Sequence, residues 1–167
     1  MRSIALTSTQ LLENHEYGFG VRKMTVLSDL DIQRHIKDGS LRLDPFEAEC
    51  VNGAGYDLRI ESDVRIPPGN NRLVATLERV ELGDGLVGTL HIRSSLARAG
   101  IIASLALVDP GFRGQLTILL WNSASADFIM THGERFVQLV IHALSMKTRR
   151  PYQGRYQDSK GIVESRQ

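Results

Sequence analysis

The hydrophobic positions of this chain follow two different periods. From Ser28 the run Ser-Asp-Leu-Asp-Ile-Gln-Arg-His-Ile-Lys-Asp-Gly sets Ile32 and Ile36 four apart, behind a serine suited to cap and ahead of Gly39, suited to stop. This predicts one short helix. Beyond it the period drops to two. Leu86, Gly88, Leu90 and Ile92 alternate with Val87, Thr89, His91 and Arg93, and Leu116, Ile118 and Leu120 alternate with Thr117, Leu119 and Trp121. The first face of each run is assigned to the core, the second partly to a site or a subunit contact. Glycine and proline recur about every ten residues, as at Gly53, Gly55, Pro67-Pro68-Gly69, Gly83, Gly85, Gly100 and Gly111. That spacing predicts a mainly β chain whose many short strands close into a barrel or sandwich. The stretch 136–144 is apolar on both faces except at Gln138 and His142, so one face is expected to meet another chain. Residues 1–23 lack a clear period and read as an N-terminal extension, 24–144 as the β domain, and 145–167 as a mobile tail.

Composition narrows this picture. A chain of 167 residues, 42% hydrophobic and 23% charged, is one soluble domain with material for one core. Lys and Arg number 20 against 19 Asp and Glu, so the net charge of +1 creates no bulk field toward nucleic acid or an anionic membrane. Any anion must be gripped locally. The charge is uneven, however: 145–167 holds six basic and two acidic residues, leaving the rest of the chain net acidic. The lone Cys50 excludes an intramolecular disulfide and a Cys-x-x-Cys zinc site, which suits the reducing cytoplasm. No apolar run approaches the ~20 residues of a membrane span.

Four segments carry candidate chemistry. In 92–100, Arg93, Ser94, Ser95 and Arg98 bring two hydroxyls, two guanidiniums and the first amides of a serine-capped helical turn together, as polyphosphate oxygens require. A capped surface helix decorated with arginines accounts for the same residues. In 108–114, Asp109 precedes Pro-Gly-Phe; it is either an ordinary turn aspartate or a group that orients or deprotonates water. In 53–59, two glycines precede Tyr56 and Asp57 at a strand entry, and in 133–138 a turn leads to Gln138 on an apolar stretch. His91, His132 and His142 show no metal-ligand spacing and read as structural or surface groups.

In this order, Leu-Ser-Asp-Leu-Asp-Ile, Ala-Gly-Tyr-Asp-Leu-Arg, Arg-Ser-Ser-Leu-Ala-Arg, Val-Asp-Pro-Gly-Phe-Arg-Gly, Gly-Glu-Arg-Phe-Val-Gln and Tyr-Gln-Gly-Arg-Tyr-Gln resemble the superfamily uniting dUTP pyrophosphatases with dCTP deaminases. The resemblance runs from residue 24 to about residue 166. It implies a dUTPase-like β-clip or distorted jelly-roll barrel with a short N-terminal helix, assembled as a homotrimer with shared active sites. It also implies that Arg93, Ser94, Ser95, Leu96, Ala97 and Arg98 hold a triphosphate, and that Asp57 places Mg2+ through water. Asp109 becomes the general base and Phe112 the wall that favours deoxyribose. The strands 103–108 and 114–119, with Thr117, read the base as a hairpin; Gln138 stands near the phosphates. Tyr152, Arg155 and Gln157 belong to a tail that closes over the nucleotide. The opening helix and the Asp-Pro-Gly-Phe turn are similar to the deaminase branch, which works without zinc and uses a glutamate ten residues after the turn aspartate. That position is Leu119. Loss of a general base costs on the order of a hundred- to ten-thousand-fold in rate. The expectation is therefore Mg-dependent hydrolysis of dUTP to dUMP and pyrophosphate, as in archaeal-type dUTP pyrophosphatases. The alternatives are dCTP deamination and a non-catalytic dNTP-binding regulator.

Overall fold

A computed structural model describes residues 25–165; the expected extension, 1–23, lies outside the described residues. Strand β1 (Thr25–Val26) leads into helix α1 (Asp29–Lys37). The Asp31 N–H donates to Ser28 Oγ at 3.2 Å while the Ser28 N–H donates to the Asp31 carboxylate at 3.1 Å, a reciprocal capping box. Gly39, just past the helix, takes φ +77°, which costs a residue without Cβ little. Ile32 is fully buried and Ile36 packs against the same core, so the expected helix forms where its pattern placed it.

The rest is mainly β: β2 (Leu41–Asp44), β3 (Val51–Asn52), β4 (Gly55–Arg59), β5 (Val64–Ile66), β6 (Asn71–Leu82), β7 (Leu86–Ile92), β8 (Ile101–Ser104), β9 (Leu107–Val108), β10 (Arg113–Asn122), β11 (Phe128–Met130) and β12 (Arg135–Ala143), with a short helix α2 (Ser94–Arg98) after β7. One sheet runs β3-β4-β12-β7-β9, with β1 on the far end of β12; a second runs β2-β6-β10-β8; β5 and β11 form a separate pair. Side chains from both large sheets, among them Leu58, Leu90 and Leu139 from the first and Leu43, Val80 and Leu120 from the second, join one buried cluster. Burial of each such side chain contributes about 1.5–3 kcal/mol.

Strand β12 is central in its sheet, between β4 and β7. Val137, Leu139 and Ile141 face the core and are fully buried, while Gln138, Val140 and His142 lie half-buried on the other face. A register slip against β4 between Arg135 and Val137 turns Phe136 inward as well. The run of apolar residues therefore reflects a bulge as well as a second face.

The other irregularity lies between β6 and β10, where the register shifts between Gln115 and Thr117 and Thr76, Leu77 and Glu78 bulge out of the ladder. Side chains replace the missing backbone partners. The Gln115 amide donates to Thr76 O at 2.8 Å, the Leu116 N–H donates to Thr76 Oγ1 at 2.9 Å, and that hydroxyl donates to Glu78 O at 2.8 Å. The bulge also turns the Glu78 side chain inward, fully buried, where it accepts from the Arg59 N–H at 2.8 Å and from Arg59 Nε at 2.6 Å. The expected hairpin of 103–108 with 114–119 is corrected. Only Ile101–Ser104 pairs with β10, at 119–122, and Leu107–Val108 crosses to pair with β7 in the other sheet. The chain breaks between them because Val108 is buried against the first sheet's core while Ile101 is buried at the second.

Candidate functional site

The turn between β9 and β10 sets Asp109 at a cavity of about 620 Å3. Its walls are mostly apolar, from Leu73, Leu107, Val108, Phe112, Leu116 and Val163. The turn closes through Phe112 N–H donating to Asp109 O at 3.1 Å, with Gly111 at φ +81°. A Cβ on Gly111 would stand 2.6 Å from Pro151 Cβ, so glycine is required where the C-terminal segment crosses. Phe112 is buried and meets Tyr152 edge-on, ring centroids 5.6 Å apart. Among the described residues the half-buried Asp109 carboxylate makes no hydrogen bond or ion pair to the protein. A turn aspartate serving its own backbone would be bonded to it; this one is left for a ligand or water.

Segment 151–165 closes one side of this cavity, anchored along β10. Asp158, at φ +59°, donates its N–H to Arg113 O at 2.8 Å, and its carboxylate accepts from Arg113 Nε at 2.8 Å and Arg79 Nη2 at 2.7 Å. Ser159 bridges Gly114, the Gly161 N–H donates to Gln115 Oε1 at 2.7 Å, and the Val163 N–H donates to Thr117 Oγ1 at 3.0 Å. The hydrogen bonds from Arg113 and then Arg79 hold the Asp158 carboxyl down at about 2, against 3.8 unperturbed. A carboxyl with a depressed folded value stabilises above its unperturbed value and loses that contribution as pH falls through the folded one. The protection of the Gly161 and Val163 amides, exchange being taken relative to its intrinsic rate at each pH, is therefore expected to hold from pH 7 to about 4 and to fall only toward pH 2, whereas Asp158→Asn lowers it at neutral pH. The pair is exposed, so added salt weakens it too.

The arginine and serine motif lies at a different place. Arg93 is itself the N-cap of α2, with no side-chain cap bond, so the expected serine cap is corrected: β7 ends at Ile92 and the helix begins at once, so Ser94 and Ser95 fall within the first turn, exposed. Leu96 is half-buried, Ala97 and Arg98 exposed. Arg93 pairs with Asp57, Nε to carboxylate 3.0 Å, and lines a 410 Å3 cleft with Leu96 and Arg135. On the ladder Gln138 stands opposite Asp57 on one side and His91 on the other. Three motifs far apart in sequence thus meet on one sheet face. Among the described residues no three His, Cys, Asp or Glu side chains converge as a metal site, and Asp57 is taken up by Arg93. These residues do not fit a protein-held magnesium ion.

The cavity at Asp109 thus gathers Phe112, Thr117 and Tyr152, and the cleft gathers Arg93 and Leu96, with no lining residue in common. Gln157 is spent on the turn, its amide donating to Gly111 O at 2.9 Å and its oxygen accepting from the Arg113 N–H at 3.0 Å. Arg155 is exposed and outside the cavity lining. Sequence reasoning missed the Asp158 clamp and the roles of Gln115, Val163 and Leu73. The one available signal was an acid within the basic tail. Leu119 is half-buried on β10, opposite Ser104 and Leu73.

Residues 47–165 match the dUTPase family as described by its sequence model. The chain is 40% identical over 156 residues, 84% of its own length and 96% of the relative's, to a protein named dCTP deaminase from Thermococcus gammatolerans. It is 43% identical over 139 residues, 74% of its length and 89% of the relative's, to one of the same name from Pyrococcus horikoshii. Its fold matches 2'-deoxycytidine 5'-triphosphate deaminase from Agrobacterium tumefaciens at TM-score 0.64 and 15% identity, over 73% of this chain and 50% of that one. These relatives overturn the expectation of dUTP hydrolysis in favour of its alternative, because similarity spread over most of both chains outweighs the inference drawn from the single position of Leu119. Among the described residues no helix is long and apolar enough to cross a membrane. With two antiparallel sheets built around one core and a family match spanning 47–165, the chain belongs to the dUTPase family.

Proposed function

We propose that this protein is a cytoplasmic enzyme that deaminates dCTP to dUTP, working as a homotrimer whose sites are each shared between chains. The observation that carries it is the unpartnered Asp109 carboxylate at a mostly apolar cavity, in a chain similar over most of its length to proteins named dCTP deaminase. Deamination adds water at C4 of cytosine and expels ammonia, so it needs one group that takes a proton from water and returns it to the leaving nitrogen. Asp109 is the carboxylate that lines the cavity, and it does both. Phe112 and Tyr152, packed edge to face, form an apolar wall beside the sugar and base, and 151–165 excludes bulk water. Arg93, Ser94, Ser95 and Arg98 take the triphosphate, with Gln138 beside them. No step is assigned to a metal; magnesium enters, in this reading, with the phosphates.

The separation of phosphate-binding cleft and base-binding cavity supports sharing between chains. So do Val26, Leu107 and Ile129, exposed at 49%, 56% and 64%. Arg93→Ala and Asp109→Asn chains, each inactive alone, are expected to recover about a quarter of the wild-type rate when refolded together, because a quarter of mixed sites pair two intact halves. A second reading rests on Leu119, which cannot accept a proton: the chain binds dCTP without turning it over. A side-by-side assay of dCTP and dUTP decides. Ammonia from dCTP supports deamination, saturable binding without product supports the second reading, and pyrophosphate with no ammonia overturns both.

A further inference from the structure

We propose that Asp57 is a positioning residue that aims the Arg93 guanidinium at the nucleotide's phosphates; this rests on the reading that Arg93 binds them. The Asp57 side chain is only 6% exposed, and a buried carboxylate is tolerated when a cation and hydrogen bonds satisfy it. Here the cation is Arg93, Nε at 3.0 Å. Arg93 also donates from Nη1 to Arg135 O at 3.1 Å. A guanidinium has more N–H donors than these contacts use, and they lie in its plane. With Nε tied to Asp57 and Nη1 to Arg135 O, the side chain is held at the edge of the 410 Å3 cleft that it lines, with N–H donors left over for a ligand there.

The two partners differ in rigidity, which gives the pair its direction. Asp57 lies inside β4, laddered to Gln138 of β12. That crossing is tight, since a Cβ on Gly55 would stand 2.7 Å from Leu139 O and 3.2 Å from Gln138 Nε2. Arg93 lies past the end of β7, at the start of the five-residue α2, with a long side chain 32% exposed. A carboxylate fixed by its sheet therefore sets the plane of an arginine that would otherwise sample many rotamers. Phosphate binding then loses little further side-chain freedom.

The test measures binding of dCTP and dCMP to the full chain by calorimetry, in magnesium buffer and in EDTA. Asp57→Asn is expected to weaken dCTP about tenfold, the order of one charge-assisted contact, and dCMP less than about twofold. The loss is the same in both buffers and vanishes in the Arg93→Ala background. Equal losses for dCTP and dCMP, a loss confined to magnesium buffer, or a full loss added to that of Arg93→Ala each overturn the proposal. Arg93→Lys covers the case of an Asp57→Asn chain that does not fold. Its ammonium is drawn onto Asp57 without a fork to spare, so dCTP binds as weakly as to Arg93→Ala; wild-type binding overturns the proposal. An Arg93→Ala chain that binds dCTP normally removes the phosphate reading itself, and the proposal with it.

Discussion

Asp109→Asn is expected to slow dCTP deamination by about a hundred- to ten-thousand-fold while dCTP still binds. Asparagine keeps the shape of the side chain but neither takes a proton from water nor delivers one to a leaving amine. The native carboxylate makes no hydrogen bond or ion pair to the described residues, so the substitution orphans no partner. Unfolding free energy should accordingly move by no more than about 0.5 kcal/mol. Steady-state ammonia release, dCTP calorimetry and a denaturant curve on the same preparation separate the possibilities. Loss of binding or of stability together with turnover would make Asp109 a structural turn residue.

The largest effect on stability is expected at Glu78. Its carboxylate is fully buried and accepts from the Arg59 backbone N–H at 2.8 Å, from Arg59 Nε at 2.6 Å and, at 3.5 Å, from the Tyr56 hydroxyl. Glu78→Ala leaves a guanidinium only 16% exposed without its counter-charge and removes the acceptor of a backbone N–H. Breaking one half of a buried pair costs about 3–5 kcal/mol, a large share of a typical domain's stability. Urea unfolding should show the midpoint lowered with an unchanged slope. The double variant Glu78→Leu with Arg59→Met removes both charges and should regain most of the loss. If the double variant is as unstable as Glu78→Ala, the bulge geometry rather than the ion pair holds this part of β6.

How much was legible in the sequence depended on how local the determinant was. The α1 cap and stop residues lie within one turn of the atoms they satisfy, and the alternation of β7 and of β10 follows from the pleat alone. Neither needs knowledge of a distant neighbour. The bulge at 76–78 was invisible, because Gln115 and Thr76 replace backbone partners only when β6 and β10 are already side by side. The break between Ser104 and Leu107 went unseen for a related reason: two successive short strands join different sheets, and burial on opposite sheets separates them. Leu119 misdirected the choice of reaction, because one position was weighed against a frame that most of the chain shares with proteins named dCTP deaminase.

By itself, then, the sequence determined the helix, the strand-rich class, the separate motifs and the resemblance that orders them. Each is written in near-neighbour periodicity or in the identity of a few adjacent residues. Only the tertiary structure decided that Asp57 pairs with Arg93, and that Asp109 stands without a partner among the described residues at an apolar cavity. It also decided that an acid in the basic tail clamps that tail to β10 and β6. A charged group's role depends on which opposite charge the fold brings within about 3 Å, and burial of a common core, not sequence distance, chooses that partner.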